Sequence, residues 1–462
     1  MKPENPATES VAIIQVKRWL KEVVGLDRAI VFTIFARVWQ SAAGLITIFL
    51  IARLLSPVQQ GYYYTFVSLV ALQIVFELGF SFVIQQMASH ERANLTISAN
   101  YEVGGDPVAH ARLASVLQKT VRWYSIAAVL MVGSLIFAGF YFFSHHQRGA
   151  LDAGWKIPWC CVALAASITF QIDPILAFLE GCGYVANVAR LRMGQAVLGS
   201  LLAWSALILH HGLYAPAMMI TGIATTGIAW LYRRRHFLLS LLRYDPGEHI
   251  IQWRTEVWPF QWKIAVSWIS SYFIFQLFNP VLFAYRGAVS AGQMGMSLNV
   301  ASALQTIAIS WINTKSAPFG TMIARKQYVE LDRIFFRSLR QSVTVCAIGA
   351  AILLAALTFI NYRNIPFSHR LLPAQDLGLL FFAVIANIVV FAEALYLRAH
   401  KQEKFLLNSI LTALFVAAST LYLGRLYGAR GMIVGYLTTV LVISLGQGTY
   451  TFLKYRKIWH AE

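Results

Sequence analysis

Twelve stretches of about twenty predominantly apolar residues run along this chain. They fall at about 29–52, 62–86, 121–143, 157–179, 191–210, 213–232, 264–285, 293–314, 338–360, 375–397, 405–423 and 431–453. Each matches the ~30 Å hydrocarbon core of a bilayer at 1.5 Å per helical residue. In hydrocarbon every backbone N–H and C=O must be paired within the protein, so a continuous apolar run of this length is stable as an α-helix. The pattern predicts an all-α integral membrane protein with about twelve transmembrane helices. Composition agrees: 58% of the 462 residues are hydrophobic and 13% are charged, about half the charged share of a soluble domain. A soluble enzyme, a disordered tail and a nucleic-acid-binding domain are disfavoured. Since no loop is long enough for a soluble catalytic domain, any chemistry must take place within the bundle or at its surfaces.

Lys and Arg number 38 against 20 Asp and Glu, a formal charge of +18. Twelve spans place both termini on one side. That side carries 29 of the basic residues, the opposite side eight, and Arg37 lies inside the first span. By the positive-inside rule both termini are expected in the cytoplasm. A wrong span count would have scrambled the alternation. Residues 1–25 lack the apolar core and cleavage site of a signal peptide. Val16, Trp19, Leu20 and Val23 fall at helical spacing opposite Lys17, Arg18 and Lys21, which suits an amphipathic surface helix or a solvated cap. The expected organisation is a cytoplasmic segment 1–28, a six-helix half 29–232, a basic linker 233–263, a second six-helix half 264–453 and a tail 454–462. Leu50–Tyr62 and Ala284–Met296 share a thin similarity at an offset of 234 residues, as two halves in one orientation would show.

The four cysteines, Cys160, Cys161, Cys182 and Cys346, lack metal or redox spacing and read as small buried hydrophobes. The pairs His145-His146 and His210-His211 form no metal motif, and the chain has no P-loop and no HExxH. No cofactor or metal is expected.

Ionisable groups inside a bilayer cost roughly 2.5–3.5 kcal/mol on insertion scales and mark functional candidates. Arg37 lies in the first span, with Gln40, Ser41, Gly44 and Thr47 at helical spacing. Glu77 is in the second span. Asp173 is in the fourth, with Glu180 seven residues on and Pro174 expected to kink the helix. Glu393, near one end of the tenth span, is expected at an interface. The eighth span carries an uncharged polar stripe, Asn299, Ser302, Thr306, Ser310 and Asn313. Gln276 and Asn279-Pro280, another expected kink, add to the seventh span, Asn408 and Thr412 to the eleventh, and Tyr436 and Gln447 to the twelfth. Polar stripes on several helices imply a wet cleft; interhelical hydrogen bonding, about 0.6 kcal/mol per contact, is the plainer reading.

The segment Ile51-Ala52-Arg53-Leu54-Leu55-Ser56-Pro57-Val58-Gln59-Gln60-Gly61-Tyr62-Tyr63 resembles the join between the first two helices of polysaccharide-exporter flippases. Phe76-Glu77-Leu78-Gly79-Phe80 resembles their acidic-apolar-glycine segment late in the second helix. These are the O-antigen and lipid-linked oligosaccharide flippases of the multidrug/oligosaccharidyl-lipid/polysaccharide exporter superfamily. The second half departs from the motif: Gly287–Gly295 keeps only the glycine. The resemblance implies a V-shaped transporter of two six-helix lobes in the bacterial inner membrane. It would move an undecaprenyl-diphosphate-linked oligosaccharide by alternating access, without covalent chemistry. Candidate headgroup contacts are Arg37, Gln40, Arg53, Arg286, Asn299, Thr306 and Asn313. Glu77 and Asp173 are candidates for H⁺ or Na⁺ coupling, or for pairing with Arg37. Partners would be the lipid-linked sugar, membrane lipids and polysaccharide assembly proteins, with no nucleic acid. Alternatives are a cation-coupled multidrug exporter of the same superfamily, a membrane glycan polymerase or ligase, and a non-transporting scaffold.

Overall fold

The computed structural model describes residues 28–97, 103–146, 154–400 and 404–461. The amphipathic segment expected over 1–28 lies outside them, Arg28 aside. The helices are α1 (Arg28–Leu54), α2 (Pro57–Val70), α3 (Ile74–Glu77), α4 (Phe80–Arg92), α5 (Pro107–His146), α6 (Lys156–Gly181), α7 (Val185–Ile208) and α8 (Ala215–Tyr232). A short α9 (Arg235–Arg243) follows, then α10 (Trp258–Phe275), α11 (Phe278–Arg286), α12 (Ala288–Asn313), α13 (Ser316–Ala324), α14 (Tyr328–Tyr362), α15 (Ala374–Ala399), α16 (Leu406–Thr439) and α17 (Gly446–Ala461).

Each of the twelve apolar stretches falls on helix. Among the described residues, seven helical segments are long and apolar enough to cross a bilayer, and two bent pairs raise that to nine. One of the seven, Leu406–His460, is itself a hairpin. Gly428, at φ +66°, reverses the chain there. As a result Gly424 meets Met432 and Gly435 meets Ser419, the register of two antiparallel helices. The helices α1 and α12 carry the remaining two stretches.

Two spans are broken where the sequence reads as continuous or only kinked. Leu78 and Gly79 are both left-handed (φ +52° and +70°) and part α3 from α4 with a 44° bend. The seventh span breaks at Gln276-Leu277, with a 40° bend between α10 and α11. Pro280 was the expected kink, but it sits in the first turn of α11, where its missing N–H costs no ladder bond. The helix α6 runs unbroken through Pro174.

On the face rich in Lys and Arg, hereafter the basic face, the long loops are structured. Leu95–Ile97 and Val103–Gly105 pair as an antiparallel ribbon, a small β element in a chain expected to be all-α. The helix α5 begins at Pro107, well before its apolar stretch. Its extension holds the central linker: Gln118 donates to the carbonyls of Leu241, Leu242 and Tyr244, and Ser115 accepts from the Ile251 N–H. Arg112 bridges Glu91 at 2.8 Å and Glu256 at 2.6 Å. The guanidinium holds the Glu256 carboxyl below the usual carboxylate range. The linker is thus docked, not free.

The halves join through α2 and α12. Gly61 packs on Ala288 and Gly292, and Tyr64 packs on Gly295. The constant spacing of these pairs shows that the two helices run in the same direction. A Cβ on Gly61 would fall 1.9 Å from the Ala288 carbonyl oxygen. Lipid tails are as apolar as side chains, so helix association in a bilayer depends on such close backbone contact. One apolar core runs through both halves, while a second cluster including Phe335, Tyr396, Phe452 and Trp459 forms at the basic end of the C-terminal half.

The join makes a paired prediction. Gly61→Ala forces backbone apart and should cost about 1–3 kcal/mol. Gly44→Ala, in open space within α1, should be neutral or stabilise by up to about 1 kcal/mol through helix propensity. Thermal unfolding in detergent would compare them; equal midpoints would refute the packing assignment.

Candidate functional site

At the end of the bundle opposite the basic face, polar side chains tie the halves together. Gln60, 1% exposed, donates through Nε2 to the carbonyls of Gly292 (2.8 Å) and Arg370 (3.0 Å). Arg370 donates to the Leu55 carbonyl (2.5 Å) and to Gln60 Oε1 (3.3 Å). Gln293 donates to the His369 carbonyl, and the Leu372 N–H to Ser297 Oγ. With the glycine contacts of α2 and α12, this closes that end. The sequence assigned neither a role: Gln60 lies just before the second apolar span, within the segment that carries the family resemblance, and Arg370 is a loop arginine among several.

Toward the basic face the same α12 presents polar groups. Asn299, Ser302 and Thr306 are exposed, Ser310 and Asn313 are half-buried, and Ala301, Leu304, Ala308 and Ile312 on the other side are buried. Thr306 Oγ1 donates to the Ser302 carbonyl (2.8 Å), leaving the hydroxyl oxygen free to accept. An exposed amide and hydroxyl row is costly against lipid tails and cheap against water. The row therefore suits contact with water better than contact with lipid tails.

The polar stripe of α1 divides. Thr47 accepts from Trp204 Nε1 (2.8 Å), and Trp39 donates to Ser200 (3.0 Å), so this face holds α7. Gln40 is exposed. Arg37 is on the helix, but its side chain lies outside the described residues.

Arg53 is exposed at the last turn of α1. Arg286 has a different setting: it donates to the carbonyls of Arg425 (3.2 Å) and Leu426 (2.6 Å). These are the acceptors that the turn at Gly428 leaves without helical partners. A headgroup role for Arg286 would compete with this capping.

The two candidate carboxylates belong to one cluster. Asp173 on α6 faces Arg192 on α7 at 3.6 Å, and Glu180 faces Arg192 at 3.4 Å. Glu77, at the end of α3, lies within electrostatic reach of Asp173 and Arg192. Asp173 and Glu180 therefore share one guanidinium, with Glu77 nearby. Arg192, which the sequence counts with the basic residues of the segment 180–192 at the edge of the fifth span, stands two turns inside α7, because that helix begins at Val185.

Other intramembrane polar groups serve packing. Asn408 donates to the Ser444 carbonyl (3.0 Å), and Asn387 to the Tyr436 hydroxyl (2.7 Å). Asn279 donates to Ser68 (2.9 Å) across the halves. Glu393 is buried and accepts from Thr449 (2.8 Å). Among the described residues no group of His, Cys, Asp and Glu could hold a metal ion. All four cysteines are free, with Cys182 and Cys346 buried.

A double-mutant cycle tests the carboxylate cluster. Arg192→Ala should destabilise by up to about 1 kcal/mol, as expected of a half-exposed pair, and Asp173→Asn in that background should restore part of the loss by relieving like-charge repulsion. Additive losses would break the assignment.

No family model and no curated protein matches this sequence. Solved structures do match in fold. A lipid II flippase MurJ in an inward closed conformation aligns over 93% of this chain and 90% of its own, at 14% identity and TM-score 0.60. The eukaryotic MATE transporter AtDTX14 aligns over 96% and 99%, at 14% identity and TM-score 0.54. A MOP-superfamily transporter from Pyrococcus furiosus aligns over 94% and 95%, at 15% identity and TM-score 0.53. The chain has the all-α membrane fold of MOP-superfamily transporters.

Proposed function

We propose that this protein is a flippase for an undecaprenyl-diphosphate-linked oligosaccharide, an O-antigen or exopolysaccharide repeat unit, in the bacterial inner membrane. Both termini and the basic face would then be cytoplasmic. The observation that carries the reading is the exposed uncharged row Asn299, Ser302 and Thr306, in a bundle whose opposite end is closed. A diphosphate-sugar head is anionic and strongly hydrated, so crossing hydrocarbon alone is prohibitive. A wet cleft of amide and hydroxyl groups replaces hydration for the sugar, while the polyprenyl tail stays in lipid. Arg37 supplies the cationic contact, since a guanidinium pairs with phosphate oxygens in a bidentate way. Gln40 and Asn313 extend the polar lining, and Arg53 is placed to meet the diphosphate at the far end. Transport proceeds by alternating access: the Gln60–Arg370 knot opens as the basic end closes, and no covalent step is required.

A second reading, a cation-coupled multidrug exporter, is favoured by the cluster of Glu77, Asp173 and Glu180 around one arginine. In either reading Glu77 and Asp173 are the proposed H⁺ or Na⁺ coupling groups.

The test is a proteoliposome assay following a labelled lipid-linked oligosaccharide, beside a drug-accumulation assay in cells. Arg37→Ala should reach the membrane and lower flipping by about tenfold or more, the scale of a lost charge-assisted contact. Undiminished flipping would remove Arg37 from the site. Drug extrusion without lipid flipping would move the protein to the second reading.

A further inference from the structure

A cavity of about 380 Å³ lies at the basic end, where the two halves and the linker meet. Its lining is Phe80, Trp253, Arg254, Val257, Trp258 and Gln261. Phe80 opens α4 in the N-terminal half, Trp253–Val257 is a single π-helical turn of the linker, and Trp258 and Gln261 begin α10 in the C-terminal half. The walls are mainly apolar, and indoles supply much of them. Trp258 is 59% exposed, and the neighbouring Trp262 and Lys263 are exposed as well.

Three features identify the occupant. The first is depth. The apolar stretch of this span begins at about residue 264, one turn past Gln261, so the cavity lies at its end on the basic side, the level at which tryptophan is enriched. The second is charge: Arg254 is exposed at the rim, and a guanidinium there suits a phosphate. The third is an orphaned acceptor. Gln261 is 1% exposed, and its Nε2 donates to the Leu78 carbonyl, which the break between α3 and α4 leaves free. That bond fixes the amide and leaves buried Oε1 without a partner among the described residues. A buried acceptor of this kind costs about 1–3 kcal/mol unless a donor reaches it.

We propose that this cavity holds one glycerophospholipid from the leaflet on the basic side, its phosphate beside Arg254, a headgroup hydroxyl donating to Gln261 Oε1, and its upper acyl segments against Trp253, Trp258 and Phe80. The lipid would touch both halves and the linker at once. It would stabilise the arrangement in which Gly79 packs on Ile264 and Trp268, and so bias the basic end toward approach of the halves along this edge. The site is separate from the polar row of α12, and the proposal does not depend on which substrate is moved.

Native mass spectrometry and thermal unfolding of the full chain in a neutral detergent test it. Phosphatidylglycerol should remain bound to the wild type and raise its unfolding midpoint. Arg254→Ala and Trp258→Ala alter exposed side chains and should fold. Each should retain the lipid about fivefold more weakly, the scale of one cation at a lipid surface, and lose most of the midpoint shift. Arg254→Lys should recover part of it. Phosphatidylcholine, which has no headgroup hydroxyl, should bind more weakly than phosphatidylglycerol. Equal retention by wild type and both variants would overturn the proposal, as would an equal midpoint shift from inorganic phosphate alone. Equal binding of the two lipids would overturn the role of Gln261.

Discussion

The close approach of α2 and α12 is the contact on which the rest of the architecture depends. Gly61 and Gly292 leave no side chain between the two backbones, and Tyr64 lies over Gly295 in the same register. In a bilayer this is a strong form of helix association, because dispersion and backbone dipoles act at short range and no hydrophobic gain competes. The contact lies toward the end where Gln60 and Arg370 knot the halves. It brings together the second span of each half, running in one direction, which is the relation a duplicated six-helix unit would produce. The halves meet again toward the basic face, where Gln261 reaches the Leu78 carbonyl and Gly79 packs on Ile264 and Trp268, while α12 turns its amides and hydroxyls outward.

A second theme is the fate of backbone groups at broken helices. A span can be interrupted in a membrane only if the freed carbonyls find donors. Here they find long side chains from elsewhere in the chain. Gln261 reaches the carbonyl of Leu78 at the α3–α4 break, and Arg286 reaches those of Arg425 and Leu426 at the Gly428 turn. Both donors are polar residues near span ends, where sequence reading assigns ligand contacts by default. Their geometry makes them stabilisers of bends, and in Gln261 the second amide atom remains for something else to satisfy.

The intramembrane charges show why single-residue reading reaches only so far. Glu77 and Asp173 were legible as costly groups needing a partner. The partner of Asp173 is Arg192, which the sequence counts with the basic residues of the segment 180–192 at the edge of the fifth span. Helix α7 begins at Val185, so Arg192 stands two turns inside it, facing Asp173 and Glu180 on α6. Glu393 reads as interfacial from its place near a span end; in the fold it is buried and accepts a hydrogen bond from Thr449 of α17. In both cases the partner sits on another helix, and no pattern within a single span identifies it.

By itself the sequence determined which stretches form long apolar helices and the polar face of α12. Each is a property of one segment against a bilayer, and transfer energies along a helix are local and additive. The tertiary structure decided where the second and seventh spans break, which end of the bundle is closed, and which polar residues are spent on packing. Those outcomes rest on contacts between residues as far apart as Gln60 and Arg370 or Arg286 and Leu426, and no local periodicity encodes which distant carbonyl a glutamine or an arginine will reach.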